Sequence, residues 1–270
     1  MIIVKVGGGA EINWDYVCKD IVSLIQQEAV ILVHGANAKR DEVAKKLGSP
    51  TKYLTAPFGN KSVYTDKQAL EILLMVYSGL VNKQIVSKLQ ALGVNAVGLS
   101  GADGKIWLGH KKKYLLDIHQ GRTKLISNTF TGKVDKVNAE LINILIEAGN
   151  LPVITQPAIT ATGELINTDN DRNLAVMAQT LGVKKLVVLF EAPGLLKDLK
   201  DNNSLVPYIK SSQLDNYWQY CQGKMKKKLM GAKEAFQSGV ETIYWGDGRI
   251  KKPVLTALAG KGTIIQCVDF

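Results

Sequence analysis

Short apolar runs recur along the chain, each followed by a turn and then by a stretch in which apolar residues return every third or fourth position. Ile2–Val6, Val30–Val33, Ala96–Leu99, Leu151–Ile154, Lys185–Phe190, Glu241–Tyr244 and Thr263–Gln266 read as strands, too short for helices. Trp14–Glu28, Lys39–Leu47, Asp66–Leu92, Asn138–Ala148, Arg172–Leu181 and Lys227–Ser238 carry the helical period. Thr65-Asp66-Lys67-Gln68 has the form of a capping box at the head of the longest helix. Gly93, Gly149, Gly182 and Gly239 each stand between a helix and a strand, where a left-handed cap ends the helix. This alternation predicts an α/β fold: a mostly parallel sheet with helices on both faces, in three αβα layers.

One segment breaks the alternation. Lys105–Leu108, a basic turn, Tyr114–Ile118, Gln120-Gly121 and Lys124–Ile126 read as a hairpin with Lys111-Lys112-Lys113 at its tip, beside His110. No internal repeat or low-complexity linker divides the chain. If it divides at all, Gly182 is the boundary, between a lobe of residues 1–182 and a smaller one of residues 183–270.

Ligands in open parallel sheets bind beyond the carboxyl ends of the strands. Small residues gather at those ends: Gly7-Gly8-Gly9, Gly35-Ala36-Asn37, Gly101 to Gly104, and Ala192-Pro193-Gly194. Lys5 lies inside the first apolar strand, immediately ahead of the three glycines. A buried strand tolerates an ammonium poorly unless an anion neutralises it, and glycines let backbone N–H groups approach a phosphate. The alternative for this octamer is a strand-end turn with a lysine reaching solvent. Lys228 is a second candidate cation. Met225 and Leu229 share one helix face, so Lys228 can lean inward while Lys226 and Lys227 stay exposed. Asp171, at the head of a helix in Asn167–Asn173, is either an N-cap or a carboxylate that fixes both lysines. His34 is the one histidine at a strand end, where a packing role outweighs a chemical one.

Charge and composition narrow the partners. The 270-residue chain has a formal charge of +10, which favours anionic ligands, and two basic clusters, Lys111–Lys113 and Lys224–Lys228. Aromatics, at 7%, do not interleave with these lysines, so a stacking platform for nucleic acid is not expected. Cys18, Cys221 and Cys267 show no paired spacing, which argues against a disulfide framework or a structural zinc. No apolar run reaches the ~18 residues of a membrane span, and the chain opens on a strand rather than on a signal segment. A soluble, cytoplasmic protein is expected.

With these residues in place, the chain resembles the amino acid kinase superfamily, and within it the acetylglutamate kinase branch. VKVGGG at Val4–Gly9, VHGAN at Val33–Asn37, NAVGLSGADG at Asn95–Gly104 and FTGKV at Phe130–Val134 carry the likeness. LPVITQPAIT at Leu151–Thr160, INTDND at Ile166–Asp171, PGLLKD at Pro193–Asp198 and GKMKKKL at Gly223–Leu229 continue it in order. The basic hairpin and FTGKV are most similar to the subgroup that phosphorylates a glutamate or 2-aminoadipate attached to a LysW-type amino-group carrier protein.

The resemblance implies a carbamate kinase-like fold and ATP-dependent transfer to a side-chain carboxylate, with Mg²⁺ bridging the nucleotide phosphates and an acyl phosphate as product. It places Lys5 and Lys228 on the transition-state lysines and Asp171 on the organising aspartate. Gly7 and Gly8, with Gly35 and Ala36, fall on the nests that contact phosphate and substrate, and Asn167 on the asparagine that holds the amino acid. The stretch from Glu191 through Gly194 and Leu195 to Lys197 falls on the adenine and ribose edge. Lys111, Lys112 and Lys113 become a docking patch for an acidic carrier protein. A homodimer is implied, because the helix that links hexameric relatives is missing from the N-terminus.

The pattern also departs from the family's. His34-Gly35-Ala36-Asn37 stands for HGGG, Phe190-Glu191-Ala192 for an SDV-like turn, and Gly223-Lys224-Met225 for GGM or GPGM. The family's substrate-carboxylate arginine falls on Val63, which makes no ion pair, and leaves Lys61 or Arg40 as nearby replacements. Two other readings stay open: a kinase of free N-acetylglutamate in arginine biosynthesis, and a nucleotide-binding regulatory homologue without catalysis.

Overall fold

The computed structural model describes residues 1–56, 61–119 and 122–267. The expected Gln120-Gly121 turn, and Gly59-Asn60 ahead of Lys61, lie outside them.

The chain runs β1 (Ile2–Val6), α1 (Trp14–Leu24), β2 (Val30–His34), α2 (Asn37–Lys46), then the short strands β3 (Tyr53–Thr55) and β4 (Lys61–Val63). Next come α3 (Lys67–Leu74), a π-helical segment Met75–Val81, α4 (Asn82–Ala91) and β5 (Ala96–Ser100). β6 (Trp107–Lys111), β7 (Leu115–His119), β8 (Arg122–Ile126) and β9 (Gly132–Val137) precede α5 (Ala139–Glu147) and β10 (Leu151–Thr155). β11 (Ala158–Thr160) and β12 (Leu165–Ile166) lead into α6 (Asn170–Leu181) and β13 (Lys185–Phe190). The described chain closes with β14 (Tyr208–Lys210), a 3₁₀ segment Ser211–Tyr220, α7 (Lys224–Gln237), β15 (Thr242–Asp247), α8 (Pro253–Leu258) and β16 (Thr263–Gln266).

Among the described residues, eight strands form one sheet in the order β14-β16-β15-β13-β1-β2-β10-β5. Every neighbouring pair is parallel except β15 with β16. Alternation along the strands sends successive side chains to opposite faces. In β1, Ile2, Val4 and Val6 join a core with α1, the α3–α4 helix and α8. Ile3 faces the other way, into a core with α5, α6 and α7. Lys5 shares the Ile3 face by this period, one rung nearer the carboxyl end of the strand. The sheet runs unbroken past Gly182, because β13 pairs directly with β1.

The helix-to-strand glycines adopt the left-handed conformation, with φ of 80° at Gly93, 77° at Gly149, 64° at Gly182 and 91° at Gly239. At the head of α3 the cap is Asp66 rather than Thr65: its carboxylate accepts from the Ala69 N–H at 2.9 Å. The 25-residue helix Lys67–Ala91 is long and apolar enough, on those two grounds alone, to cross a membrane, although polar residues interrupt every apolar run within it. Here Ile72, Leu73, Val76, Ile85 and Leu89 pack on the sheet, and buried Asn82 donates to the Val153 carbonyl at 3.0 Å.

The hairpin is rearranged. β6 pairs with β9 and β11 in a second sheet, and the hairpin proper is β7 with β8. Lys111 is therefore the last residue of β6, and Lys112 and Lys113 lie in the connection to β7, away from any hairpin tip. FTGKV holds the missing partner strand: in β9 exposed Lys133 alternates with buried Gly132 and Val134, and the apolar positions face the core. A strand this mixed in charge carries a weak apolar signal, which is why the sequence pattern passes over it.

Candidate active site

Three chain segments bring charge together at the carboxyl edge of the sheet. Lys5 lies one residue before the end of β1, Asp171 stands in the first turn of α6, and Lys228 projects from the second turn of α7. Lys5 Nζ donates to Asp171 Oδ1 at 2.6 Å, and Lys228 Nζ donates to Oδ2 at 3.2 Å and Oδ1 at 3.4 Å. Both lysines are buried, at 5% and 9% exposure, so neither could stay charged there without the carboxylate. Asp171 is not the helix cap. That place belongs to Asp169, whose side chain accepts from the Asp171 N–H at 3.0 Å, leaving the Asp171 carboxylate for the lysines.

The ionisation of the three groups follows from this geometry. Burial alone would raise the Asp171 pKa, but the two ammonium groups outweigh it and hold the carboxyl well below its usual range. Burial would lower Lys5, but Asp171 at contact distance leaves it raised. Lys228 is pushed down to about 8, because burial and repulsion from Lys5 outweigh the pull of Asp171. With both lysines protonated the cluster carries one net positive charge, poised for an anion.

α7 reaches α6 this closely because of a residue the sequence reading passed over. A Cβ on Gly231 would stand 2.7 Å from the Asp171 carbonyl oxygen, so only glycine lets the helix backbones touch. Phe190, at the end of β13, supports Lys228 from the sheet side, with the ammonium 5.1 Å from its ring centroid.

Beside the cluster the loops after β1 and β2 meet backbone to backbone. A Cβ on Gly8 would lie 2.3 Å from the Ala36 nitrogen and 2.4 Å from that of Asn37. Gly35 is equally confined, with the Gly8 nitrogen 2.9 Å from its would-be Cβ. Among the described residues, the N–H groups of Gly8 and Gly9 have no internal acceptor, while the Gly8 carbonyl accepts from Ala38 N–H at 2.8 Å. Unpaired N–H groups on a glycine turn are the chemistry that a backbone anion nest requires. With its amide oriented to satisfy both ends, Asn37 donates to the Gly8 carbonyl at 3.2 Å and accepts from Lys224 Nζ at 2.8 Å. The lysine run of α7 therefore lies over the same loops.

His34 is fully buried beneath this edge. Its Nδ1 donates to the Gly35 carbonyl at 3.3 Å, and Nε2 accepts from Asn82 at 3.1 Å. Burial lowers its pKa to about 4, so it stays neutral. It fills a structural place.

The other expected residues divide into near and far. Asn167 donates through Nδ2 to Thr65 Oγ1 at 2.9 Å, which ties the approach to α6 to the residue two past Val63. Val63 and Lys61 lie in β4, paired with Tyr53 and Thr55. Arg40 is not free to replace the missing arginine: its guanidinium donates to Asp41 Oδ1 at 2.7 and 3.1 Å. Glu191 accepts from the Glu11 N–H at 2.8 Å and closes the loop after β1. Gly194 allows close packing on Thr263, and Lys197 is exposed. Leu195 belongs to the interior, with its N–H bonded to Thr263 Oγ1 and its carbonyl to Val206 N–H, each at 2.8 Å.

The basic residues are less exposed than their spacing suggests. Lys226 sits 5.2 Å over the Trp218 ring, and Lys227 turns toward Asp169 at 3.6 Å and Ser62 at 3.5 Å. Lys111 pairs with Glu164 at 2.8 Å and covers the Phe130 ring, so of the triplet only Lys113 is fully exposed. Asp169, Arg172, Lys227 and Gly231 were absent from the sequence-based site. Their neighbours in sequence, Asp171 and Lys228, were the available signal. Among the described residues no group of three or more His, Cys, Asp or Glu side chains converges as metal ligands would.

A model of the amino acid kinase family matches residues 1–244. The chain is 46% identical over 267 residues to a LysW-aminoadipate kinase of Deinococcus radiodurans, covering 98% of this chain and 91% of that one. It is 43% identical over 269 residues to a LysW-aminoadipate kinase of Thermus thermophilus, covering 98% of this chain and all of that one. The solved N-acetylglutamate synthase of Neisseria gonorrhoeae, complexed with coenzyme A and N-acetyl-glutamate, has the same fold. Its TM-score is 0.80 at 20% identity, over all of this chain and 60% of that one.

Proposed function

Because the chain belongs to the amino acid kinase family, we propose that it transfers the γ-phosphoryl group of ATP to the side-chain carboxylate of a carrier-bound aminoadipate or glutamate. It is a kinase with a carboxyl group as acceptor, acting in lysine biosynthesis, and its product is an acyl phosphate. The carrier is an acidic LysW-type amino-group protein.

The observation that carries this reading is the Lys5–Asp171–Lys228 cluster, considered together with what surrounds it. A hydroxyl acceptor needs a general base, whereas a carboxylate with an ordinary pKa near ~4.3 is already ionised at neutral pH. His34 is bonded on both nitrogens and Asp171 is held by two ammonium groups, so neither is a free base. The cluster suits an acceptor that arrives as an anion. An acceptor oxygen attacks the γ-phosphorus as its bond to the β–γ bridging oxygen breaks, and ADP leaves with that electron pair. Lys5 and Lys228 neutralise charge on the transferring group, and Asp171 keeps both at one distance from it. A magnesium ion on the nucleotide phosphates would supply further neutralisation.

In this reading Gly7 and Gly8 cradle phosphate, and Gly35, Ala36, Lys61 and Asn167 line the acceptor side. The turn carrying Glu191, Gly194 and Lys197 borders the nucleotide. Residues 1–182 thus hold the amino acid and residues 183–270 the nucleotide, on one continuous sheet. A homodimer and a cytoplasmic location complete the proposal. Exposed Leu74, Met75 and Leu80 form an apolar strip that a second copy would cover.

The test is an acyl phosphate assay with ATP, comparing carrier-bound aminoadipate, carrier-bound glutamate and free N-acetylglutamate. Turnover on a carrier-bound acceptor is expected. Turnover confined to N-acetylglutamate would reassign the enzyme to a free acceptor, and turnover on none would remove the proposal.

A further inference from the structure

An aminoadipate or glutamate blocked at its amino group still carries two carboxylates. One reacts; the other, at the α-carbon, enters the cleft as a spectator charge and needs a cation. Position 63 is a valine, and Arg40 is already paired with Asp41.

The backbone network around Val63 leads elsewhere. Phe130 N–H donates to the Thr65 carbonyl at 2.8 Å, and Thr131 bridges to Asn167 in parallel. Lys112 N–H donates to the Thr131 carbonyl at 2.8 Å. Two bonded steps therefore tie Lys112 to the end of the segment that carries Val63. From the opposite side, Lys227 Nζ approaches Ser62 Oγ, the neighbour of Val63, at 3.5 Å. Lys112 through its backbone and Lys227 through its ammonium thus border the segment that carries Val63, and Lys227 adjoins Lys228 in sequence.

The cations near this segment differ in what they hold. Arg172 pairs with Glu234 at 2.7 Å and Lys111 with Glu164 at 2.8 Å, so their charges are met. Lys227 has only a long contact to Asp169, at 3.6 Å. Lys112 is half-buried and, among the described residues, has no carboxylate partner within ion-pair distance. Burial, then Arg172 and Lys227, lower its pKa, with Asp169 opposing and Lys133 adding to the repulsion. A half-buried ammonium among cations is unfavourable until an anion arrives.

We propose that Lys112 and Lys227 form a carboxylate subsite at the rim of the cleft, which takes the α-carboxylate of the acceptor in the place left by valine at position 63. The subsite rests on the kinase reading above and specifies how the acceptor is held. Lys112 is then a specificity residue rather than one of a general docking patch, because it reads one charge on the amino acid instead of the carrier's surface.

The experiment compares the unmodified enzyme, Lys112→Ala and Lys112→Arg on two acceptors. One is aminoadipate joined to the carrier through its amino group; the other is the same conjugate with its α-carboxylate converted to a carboxamide. The unmodified enzyme should prefer the carboxylate form, and Lys112→Ala should raise its acceptor KM roughly tenfold or more, acting on KM more than on kcat. Lys112→Ala should leave the KM of the carboxamide form nearly unchanged, and Lys112→Arg should restore the preference. An equal loss on both acceptors would assign Lys112 to carrier docking or to folding and overturn the subsite, as would no loss on either. An active unmodified enzyme that is indifferent to the α-carboxylate also removes the subsite, while absence of acyl phosphate on every N-blocked acceptor removes the kinase reading itself.

Discussion

Lys228 is the residue whose charge is least secure. Burial and the neighbouring Lys5 bring its pKa to about 8, so its ammonium is present below that pH and lost above it. A phosphate-binding role therefore predicts that kcat/KM for ATP falls as pH rises through about 8 in the free enzyme. Lys228→Arg keeps its charge at high pH and should move that limb upward, even at a lower maximal rate. A profile that stays flat into the alkaline range would show that Lys228 charge is not used. Lys5 makes the shorter contact to Asp171 and keeps its charge throughout. Lys5→Ala should reduce kcat by roughly 10²–10³, the scale seen when one preorganised transition-state donor is removed, with a much smaller effect on ATP affinity. Equal and small losses in both parameters would reject the assignment.

At the scale of elements, the site depends on how closely α6 and α7 approach. Gly231 sets that distance, and a methyl group there meets the Asp171 carbonyl at 2.7 Å. Backbone cannot rotate aside as a side chain would, so Gly231→Ala must push α7 outward. Overpacking of this kind costs roughly 1–3 kcal/mol. Urea unfolding should register that loss, and turnover should fall further than stability alone explains, because Lys228 moves with the helix. An unchanged unfolding midpoint together with parental turnover would show that the helices tolerate the extra atom. The cap at the head of α6 acts on the same contact: Asp169 occupies the helix N-terminus and leaves Asp171 free for the lysines.

At the scale of the whole molecule, two features predict association. The surplus of +10 makes encounter with an acidic carrier an electrostatic event, so the KM for carrier-bound acceptor should rise with ionic strength while ATP saturation changes little. A salt-independent KM would count against docking by charge. The strip of Leu74, Met75 and Leu80 lies exposed on a helix whose opposite face is in the core. Sedimentation should find a dimer, and the paired substitution Met75→Glu with Leu80→Glu should convert it to monomer. A parent protein that sediments as a monomer, or a variant that stays dimeric, would remove this strip as the interface.

Periodicity determined much of this protein in advance. Strands buried on both faces, such as Ile2–Val6 and Lys185–Phe190, leave no polar alternation to misread, and their ends fell where the apolar runs end. Lys5, Asp171 and Lys228 were legible because each breaks a local expectation: a lysine in a buried strand, an acid just past a cap, a lysine beside an apolar helix stripe. Tertiary structure alone decided the rest. It paired β6 with β9 instead of with β7, since backbone hydrogen bonds select partners across a sheet regardless of nearness in sequence. That pairing moved Lys112 from an expected hairpin tip to the connection that follows β6, bonded to Thr131. It also separated Asp169 from Asp171 by function, and gave Gly231 a meaning no pattern carries. A glycine's role is the atom it leaves out, and only the opposing helix shows what that atom would have struck.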